Sequence, residues 1–484
     1  MSGISFNRMA VGLSFNRMAV GLLLGSIFVL ACLVPAQSDT YWHLRAGADL
    51  FRTHHVPFVD TYSYTAAGRF WPNHEWLWQA VSYGLWAVGG MPLLTLFAAL
   101  VVTAACALSY GLTVGAPRTR FFLMVLGVPI ASCVWALRPQ IVSLALLVAL
   151  VTLLARERLR WLPLLFVVWA NVHGAVALGV AVVAAAAAAA AWKARSGSPG
   201  DRRRALTLAL LTPVCAAATA VTPLGPRLWT FIFESMHRSH EVLIVEWMPA
   251  YPTGPVEIGF WVLAIAFVVL LARRWRTLEA WSDLVVVAAA VVMLPLAIRA
   301  VRNVSPFLLL AIPAASRLLG PDFRLGRAPA ADGRATAAAS EDHPRVNLAL
   351  LSGLGLAGIA FVAFAWNAPL PMLGWRPLAP GALAAIGTCP GPIYNRYNDG
   401  GYLVWFAPET KVFIDSRQDP YPPEFVLEAG RNEAQGTFRE LFARHGVRCA
   451  LLPVGSPTLP RLRADGWRER FADQTWAVLV PPGA

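Results

Sequence analysis

At 484 residues, 57% hydrophobic and 14% charged, with a mean hydropathy of +0.55, the chain reads as a polytopic membrane protein and not as a soluble globule. The net charge of +13 does not point to nucleic acid, because the arginines sit in short clusters at the ends of apolar runs, where they set membrane topology. The six cysteines show no CxxC or Cys/His spacing, which excludes a zinc motif, and spacing alone leaves open whether Cys389 and Cys449 pair.

The N-terminus repeats SFNRMAVGL at Ser5–Leu13 and Ser14–Leu22. One copy suffices to begin a helix, so the duplication reads as a replication slip or a misplaced start, with Met9 or Met18 as alternatives. Arg8 and Arg17 precede the apolar run Met18–Pro35, which predicts an uncleaved first span with a cytosolic N-terminus. A large outer loop follows over residues 36–90. Its stretch Gln37–Gln79, QSDTYWHLRAGADLFRTHHVPFVDTYSYTAAGRFWPNHEWLWQ, is too polar to lie in hydrocarbon. Tyr41, Trp42, Trp71, Trp76 and Trp78 are expected to anchor it at headgroup level, and Glu75–Ala87 to lie as an amphipathic helix along the surface.

Further apolar runs lie at Met91–Leu112, Phe121–Leu137 and Ile141–Ala155, with basic clusters at Arg118/Arg120 and Arg156/Arg158/Arg160 placing alternate ends in the cytosol. Trp161–Trp192 is too long for one span and is interrupted at Asn171–Gly174. Both its flanks are basic, so it is expected to cross twice. Ala205–Val221, Ile258–Ala272, Leu284–Ile298, Val304–Leu319 and Leu348–Trp366 complete about eleven spans, with a cytosolic linker at 320–346. The predicted fold class is an all-α polytopic membrane domain over residues 1–366, followed by a small α/β extracytoplasmic domain over 367–484. In that domain β-like runs at Gly391–Tyr394, Lys411–Ile414, Cys449–Pro453 and Trp476–Val480 alternate with helical patterns such as Gly436–His445, stopped by Gly446.

This topology gathers polar groups on the outer face. They are Asp39, His43, Asp60, His74, Glu75, Arg138, Gln140, Asn171, His173, Glu246, Arg299, Arg302 and Asn303, together with Tyr397, Asp399, Tyr402, Asp415 and Arg417 of the C-terminal domain. Acids there can take a proton from a hydroxyl, and arginine forks can hold a phosphate, which suggests substitution at a lipid-linked phosphate ester. Asp39 and His43, one helical turn apart, stand with Asp60, His74 and Glu75 as ligand types that leave room for a divalent cation such as Mg2+, with no closed motif to fix one. No Walker motif, GxGxxG after a strand or GxSxG elbow occurs.

In these segments the chain resembles the GT-C superfamily of polytopic membrane glycosyltransferases, and in particular a bacterial group with SDTYWHL-type and DTYSYT…NHEW-type first loops. Related architectures are the protein O-mannosyltransferases, the lipid A aminoarabinose transferases and the catalytic subunit of oligosaccharyltransferase. The resemblance takes in Arg138-Pro139-Gln140, Asn171–Gly174, Arg299–Asn303, Tyr394–Tyr402 and Phe413–Arg417. It implies transfer of a sugar from a polyprenyl-phosphate donor in the outer leaflet to an extracytoplasmic lipid, glycan or protein, with inversion at the anomeric carbon. A first-loop acid would act as base or metal ligand. Asp39 stands in the place of that acid. Gln37 stands where a frequent diacidic pattern has its other acid, which leaves Asp60 or Glu75 as the second. The competing expectation is a non-catalytic envelope protein, a transporter or assembly partner that binds a polyprenyl-linked glycan. A transporter should carry ionisable residues at mid-span and show internal repeats, whereas this chain keeps its charges at span ends.

Overall fold

The computed structural model describes residues 14–241, 245–323, 343–368 and 371–483. The first copy of the N-terminal repeat and most of the 320–346 linker lie outside the described residues. Among the described residues, thirteen α-helices precede the C-terminal domain. The first seven are α1 (Phe15–Ala31), α2 (Ser38–Thr53), α3 (Trp76–Leu112), α4 (Pro117–Ala131), α5 (Gln140–Ala155), α6 (Leu162–Val172) and α7 (Val176–Lys193). Then come α8 (Pro199–Ala218), α9 (Arg227–Glu241), α10 (Pro255–Arg274), α11 (Trp281–Arg299), α12 (Val304–Leu319) and α13 (Pro344–Asn367).

Each apolar run read as a span is helical. Six of these helices, α3, α4 with its 3-10 extension, α7, α10 with its own, α11 and α13, are long and apolar enough to cross a bilayer, while α1, α5 and α6 are apolar but shorter. Two interruptions matter for the site. Helix α3 loses helical geometry at Gly89 and Gly90, the latter at φ 63°, where glycine adopts a left-handed angle without steric cost. The turns before this kink carry Gln79, Ser82 and Tyr83, and those after it are predominantly apolar. The long alanine-rich stretch breaks at His173, whose extended backbone (φ −166°, ψ 142°) separates α6 from α7 and sets an imidazole at the junction.

The C-terminal domain holds a four-stranded sheet in the order β1-β2-β4-β3, made of β1 (Ile393–Tyr394), β2 (Cys449–Pro453), β3 (Arg468–Ala472) and β4 (Trp476–Val480). β1 runs parallel to β2, while the β2–β4 and β4–β3 pairs are antiparallel. Around the sheet lie α14 (Pro380–Gly387), α15 (Gly400–Phe406), α16 (Pro423–Gln435), α17 (Arg439–Arg444) and α18 (Thr458–Ala464). A disulfide joins Cys389, just after α14, to Cys449 at the start of β2, with Cα atoms 5.7 Å apart. The run Lys411–Ile414 does not join this sheet. It makes a single parallel bridge from Val412 to Ser63 of the first loop. β3, mostly exposed and without apolar alternation, carries little strand signal.

The first loop is not a skirt on the membrane surface. Tyr41, Trp42, Trp71 and Trp78 are 1–6% exposed, which corrects the expectation that they sit among lipid headgroups. Trp42, Ala46, Tyr62 and Trp71 share one apolar core with Leu378, Ile393, Leu403, Val412, Leu451 and Trp476 of the C-terminal domain. Tyr41 and Trp78 belong to the helical core below, and the Trp76 indole donates to Asn171 (2.7 Å). Burying each large aromatic contributes roughly 1.5–3 kcal/mol, so the loop acts as mortar between the two halves of the chain.

Close approach explains the glycines. A Cβ on Gly401 would stand 2.1 Å from the Ser38 carbonyl oxygen, and one on Gly47 would stand 2.2 Å from the Gln79 carbonyl oxygen. Only hydrogen side chains let α15 lie on the start of α2, and α2 on α3. The Gly401 amide also donates to Ser38 Oγ (3.0 Å).

Candidate functional site

Helix α2 begins with a reciprocal cap. The Thr40 amide donates to the Gln37 carbonyl (2.9 Å), and the Gln37 amide donates to Thr40 Oγ1 (3.0 Å). The residue that departs from the diacidic pattern is therefore a helix cap. Thr40 in turn donates to the Leu137 carbonyl (3.0 Å), fixing α2 against the turn that carries Arg138. Asp39 falls in the first turn of α2, where the helix dipole favours a carboxylate. Its Oδ2 accepts from Arg138 Nη1 (2.7 Å), and its Oδ1 accepts from the Trp42 indole (3.3 Å) and from the Ser416 hydroxyl of the C-terminal domain.

Arg138 continues the line. Its Nε donates to Gln140 Oε1 (3.2 Å) and its Nη2 to Glu246 Oε2 (2.5 Å). Glu246 also meets Arg302 Nη1 at 3.4 Å, and the Arg302 guanidinium lies 4.5 Å over the Trp247 ring. The result is a ladder of alternating charge, Asp39, Arg138, Glu246, Arg302, assembled from four segments well separated in sequence. Burial weakens the Arg138 charge, but Asp39 and Glu246 outweigh it and hold the guanidinium cationic. Burial pushes the Glu246 carboxyl up, and Arg302 and Arg138 more than reverse this, keeping it an anion.

Glu75, at the N-cap of α3, forms a second cluster. Its two oxygens lie 3.6 Å from the Nε2 atoms of His43, His74 and His173. Burial, reinforced by Asp419 and Asp39 against the pull of Arg302 and Arg138, raises the Glu75 carboxyl to about 8. Burial likewise lowers His74 to about 4, against a hydrogen bond from its ring to the Pro72 carbonyl. At neutral pH the cluster is a protonated acid among neutral imidazoles. His173 Nδ1 is engaged with Ser143 Oγ (2.9 Å), whereas His43 Nδ1 is buried with no hydrogen-bond partner among the described residues.

Both clusters face a cavity of about 700 Å3 between the helical bundle and the C-terminal domain. Of the residues singled out in the sequence, Asp39, His43, His74, Glu75, Arg138, Gln140, His173, Glu246, Arg302, Asn303, Tyr397 and Arg417 line it. Asp60, Asn171, Arg299, Asp399, Tyr402 and Asp415 do not. Asp60 is buried, accepting from the Tyr62 and Ser63 amides, Ser63 Oγ and Arg417 Nη2. Asp415 is spent on Arg417 and Tyr421. Asp399 is paired with Arg396, Tyr402 packs on Tyr41, and Arg299 is exposed at the end of α11. Asn171 ties its amide to the Val167 and Val221 carbonyls.

Sequence reasoning overlooked Asp419, which lines the cavity, and α9, whose Phe231, Ile232 and Met236 form an apolar wall. The signal for α9 was an amphipathic pattern inside a loop read only by its flanks. The residues do not fit Mg2+. That ion demands oxygen ligands, while Asp39 is engaged by Arg138, Ser416 and Trp42, and Glu75 is ringed by imidazole nitrogens. Among the described residues no group of three or more His, Cys, Asp or Glu side chains is placed to hold a metal ion.

No protein-family model matches the sequence, and no curated protein matches it. Solved structures do match its fold. The aminoarabinose transferase ArnT of Cupriavidus metallidurans, bound to undecaprenyl phosphate, superposes with a TM-score of 0.56 at 14% identity, covering 96% of this chain and 97% of that one. The apo oligosaccharyltransferase of Archaeoglobus fulgidus gives a TM-score of 0.55 at 11% identity, over 90% of this chain and 69% of that one. The archaeal oligosaccharyltransferase AglB of the same organism, in complex with an inhibitory peptide and a dolichol-phosphate, gives 0.51 at 10% identity, over 91% and 70%. The chain therefore has the fold of the GT-C membrane glycosyltransferases, as the first-loop and outer-turn motifs implied.

Proposed function

We propose that the protein is an inverting GT-C glycosyltransferase that moves a sugar from a polyprenyl-phosphate donor to an extracytoplasmic acceptor, with Asp39 as general base. The observation that carries this reading is the meeting, in one cavity, of the first-loop carboxylate with two outer-turn arginines, Arg138 and Arg302. ArnT was solved with undecaprenyl phosphate and AglB with a dolichol-phosphate, which supports a lipid-linked donor. Leu178, Phe231, Ile232 and Met236 offer that lipid an apolar wall. In the reaction the acceptor hydroxyl oxygen bonds to the anomeric carbon while the bond to the phosphate oxygen breaks. The hydroxyl proton passes to Asp39, and the polyprenyl phosphate leaves with the bonding pair. Arg138 and Arg302 stabilise the charge that gathers on the phosphate. Burial raises Glu75 to about 8, which favours Asp39 over it as the base at neutral pH.

This reading takes the chain to cross the membrane about eleven times, with the N-terminus in the cytosol and residues 367–484 outside. The Cys389–Cys449 disulfide supports that orientation, since such bonds persist in oxidising compartments. Native mass spectrometry of the purified protein with undecaprenyl phosphate tests the donor side. The parent should bind it, and Arg302→Ala should bind it about tenfold or more weakly, as expected for loss of a charge-assisted contact. A parent that ignores the lipid would overturn the reading. A parent that binds it but releases no polyprenyl phosphate, and that tolerates Asp39→Asn, would leave only a carrier-binding envelope protein; an Asp39→Asn variant that turns over like the parent would move the base to Asp60 or Glu75.

A further inference from the structure

Ser416 belongs to the C-terminal domain, yet its hydroxyl donates to Asp39 Oδ1 across a sequence separation of 377 residues. A serine in a surface loop would ordinarily wander. Here the residues on both sides of it are fastened. Asp415 and Arg417 form a buried pair, with Arg417 Nε donating to Asp415 Oδ1 (2.8 Å) and Nη2 to Oδ2 (2.7 Å). The same Nη2 reaches Asp60 Oδ1 of the first loop at 2.5 Å, and all three side chains are fully buried. The guanidinium lies 4.7 Å from the centre of the Tyr62 ring and 4.8 Å from that of Trp71, so aromatic faces from the first loop pack against it. Tyr397 adds a hydrogen bond from its hydroxyl to the Ser416 carbonyl (3.2 Å). Gln418, at φ 63°, turns the chain sharply just beyond. Every one of these contacts constrains the loop that carries Ser416, and three of them come from the segment that also supplies Asp39.

We propose that Ser416 is a positioning residue for Asp39, and that the buried Asp60–Arg417–Asp415 set holds it in place. Arg138 pulls on one oxygen of Asp39 and Ser416 on the other, so the carboxylate plane is fixed from two sides. The C-terminal domain then reaches the base itself through that hydroxyl, besides lining the cavity with Tyr397, Arg417 and Asp419, and Asp60 acts through the same hydroxyl without touching substrate. The inference rests on the reading of Asp39 as the base.

The test follows release of polyprenyl phosphate by mass spectrometry, using the polyprenyl-phosphate sugars and acceptors present in membranes of the source cell as substrates. Ser416→Ala should lower kcat about 10- to 100-fold, the worth of a hydrogen bond to a charged group. KM for the lipid donor and the melting midpoint should not move. Ser416→Thr, which keeps the hydroxyl, should restore most of the rate. A Ser416→Ala enzyme with the parent's kcat, or one whose loss Thr does not rescue, overturns the positioning role while the glycosyl-transfer reading stands. A parent that releases no polyprenyl phosphate from those membranes overturns both.

Discussion

Replacing Glu75 by Gln should remove a pH dependence of stability that the parent shows above neutrality. Burial raises the folded-state pKa from 4.5 to about 8, so between these values the folded chain holds a proton that the unfolded chain has released. Stability from this group is fully present below the unfolded pKa and is lost as pH rises towards about 8. Below about pH 6.5 the opposite shift of His74 adds a trend of the other sign, since a histidine lowered to about 4 stabilises the fold as pH rises. Between about pH 6.5 and 8 the histidine contribution fades, and because parent and variant share it, their comparison isolates Glu75. One and a half pKa units correspond to about 2 kcal/mol, a magnitude visible as a fall of several degrees in melting midpoint. Thermal unfolding of the detergent-solubilised protein at pH 6.5, 7.25 and 8 reads this directly. Gln keeps the shape and the neutral charge of the protonated acid, so Glu75→Gln should match the parent only below about pH 4.5, and its advantage should widen by about 2 kcal/mol between pH 6.5 and 8. Parallel curves for the two proteins across that window would refute the claim that Glu75 is folded as an uncharged acid.

Asp39→Asn should lower turnover by about 10²- to 10⁴-fold with little change in melting, measured as polyprenyl phosphate release, because it removes the basicity and retains the volume. Reducing the Cys389–Cys449 bond, or replacing both cysteines by serine, should destabilise the C-terminal domain by about 2–5 kcal/mol, read from limited proteolysis of residues beyond 367. Gly401→Ala should force α15 off α2, since its methyl would meet the Ser38 carbonyl. The expected outcome is a lower melting midpoint together with weaker undecaprenyl phosphate binding.

The helical architecture was legible because each membrane segment carries its own signal, an apolar run with basic flanks, that needs no partner to be read. The side-of-membrane argument also placed Asp39, Glu75, Arg138, His173, Glu246 and Arg302 together, since loops on one face of a bundle must meet. Asp60 and Asp415 were marked for the same reason as Asp39, as acids outside the membrane. Nothing local distinguishes a carboxylate facing a cavity from one matched to a buried guanidinium; only the fold brings Arg417 between them. The tryptophans misled in the same way. An indole in a polar loop suits a lipid interface and a domain interface equally, and the apolar residues that cover Trp42 and Trp71 lie far away in sequence. Ser416 fell within the Phe413–Arg417 motif but received no role, because an uncharged residue has no signal except its neighbours.

The shared core of the first loop and the C-terminal domain has a consequence for biogenesis. Asp60 and Arg417 are separated by 357 residues. At about 5–20 residues per second, the ribosome needs roughly 20–70 s to make the second after the first. During that interval Tyr62, Trp42 and Trp71 have left the translocon without the strands and helices that will cover them. The bare loop presents a sticky aromatic surface, and chains stalled before residue 400 should be prime clients for chaperones and proteases. Folding of the site is thus gated by completion of the polypeptide, and a half-made chain carries no assembled cavity.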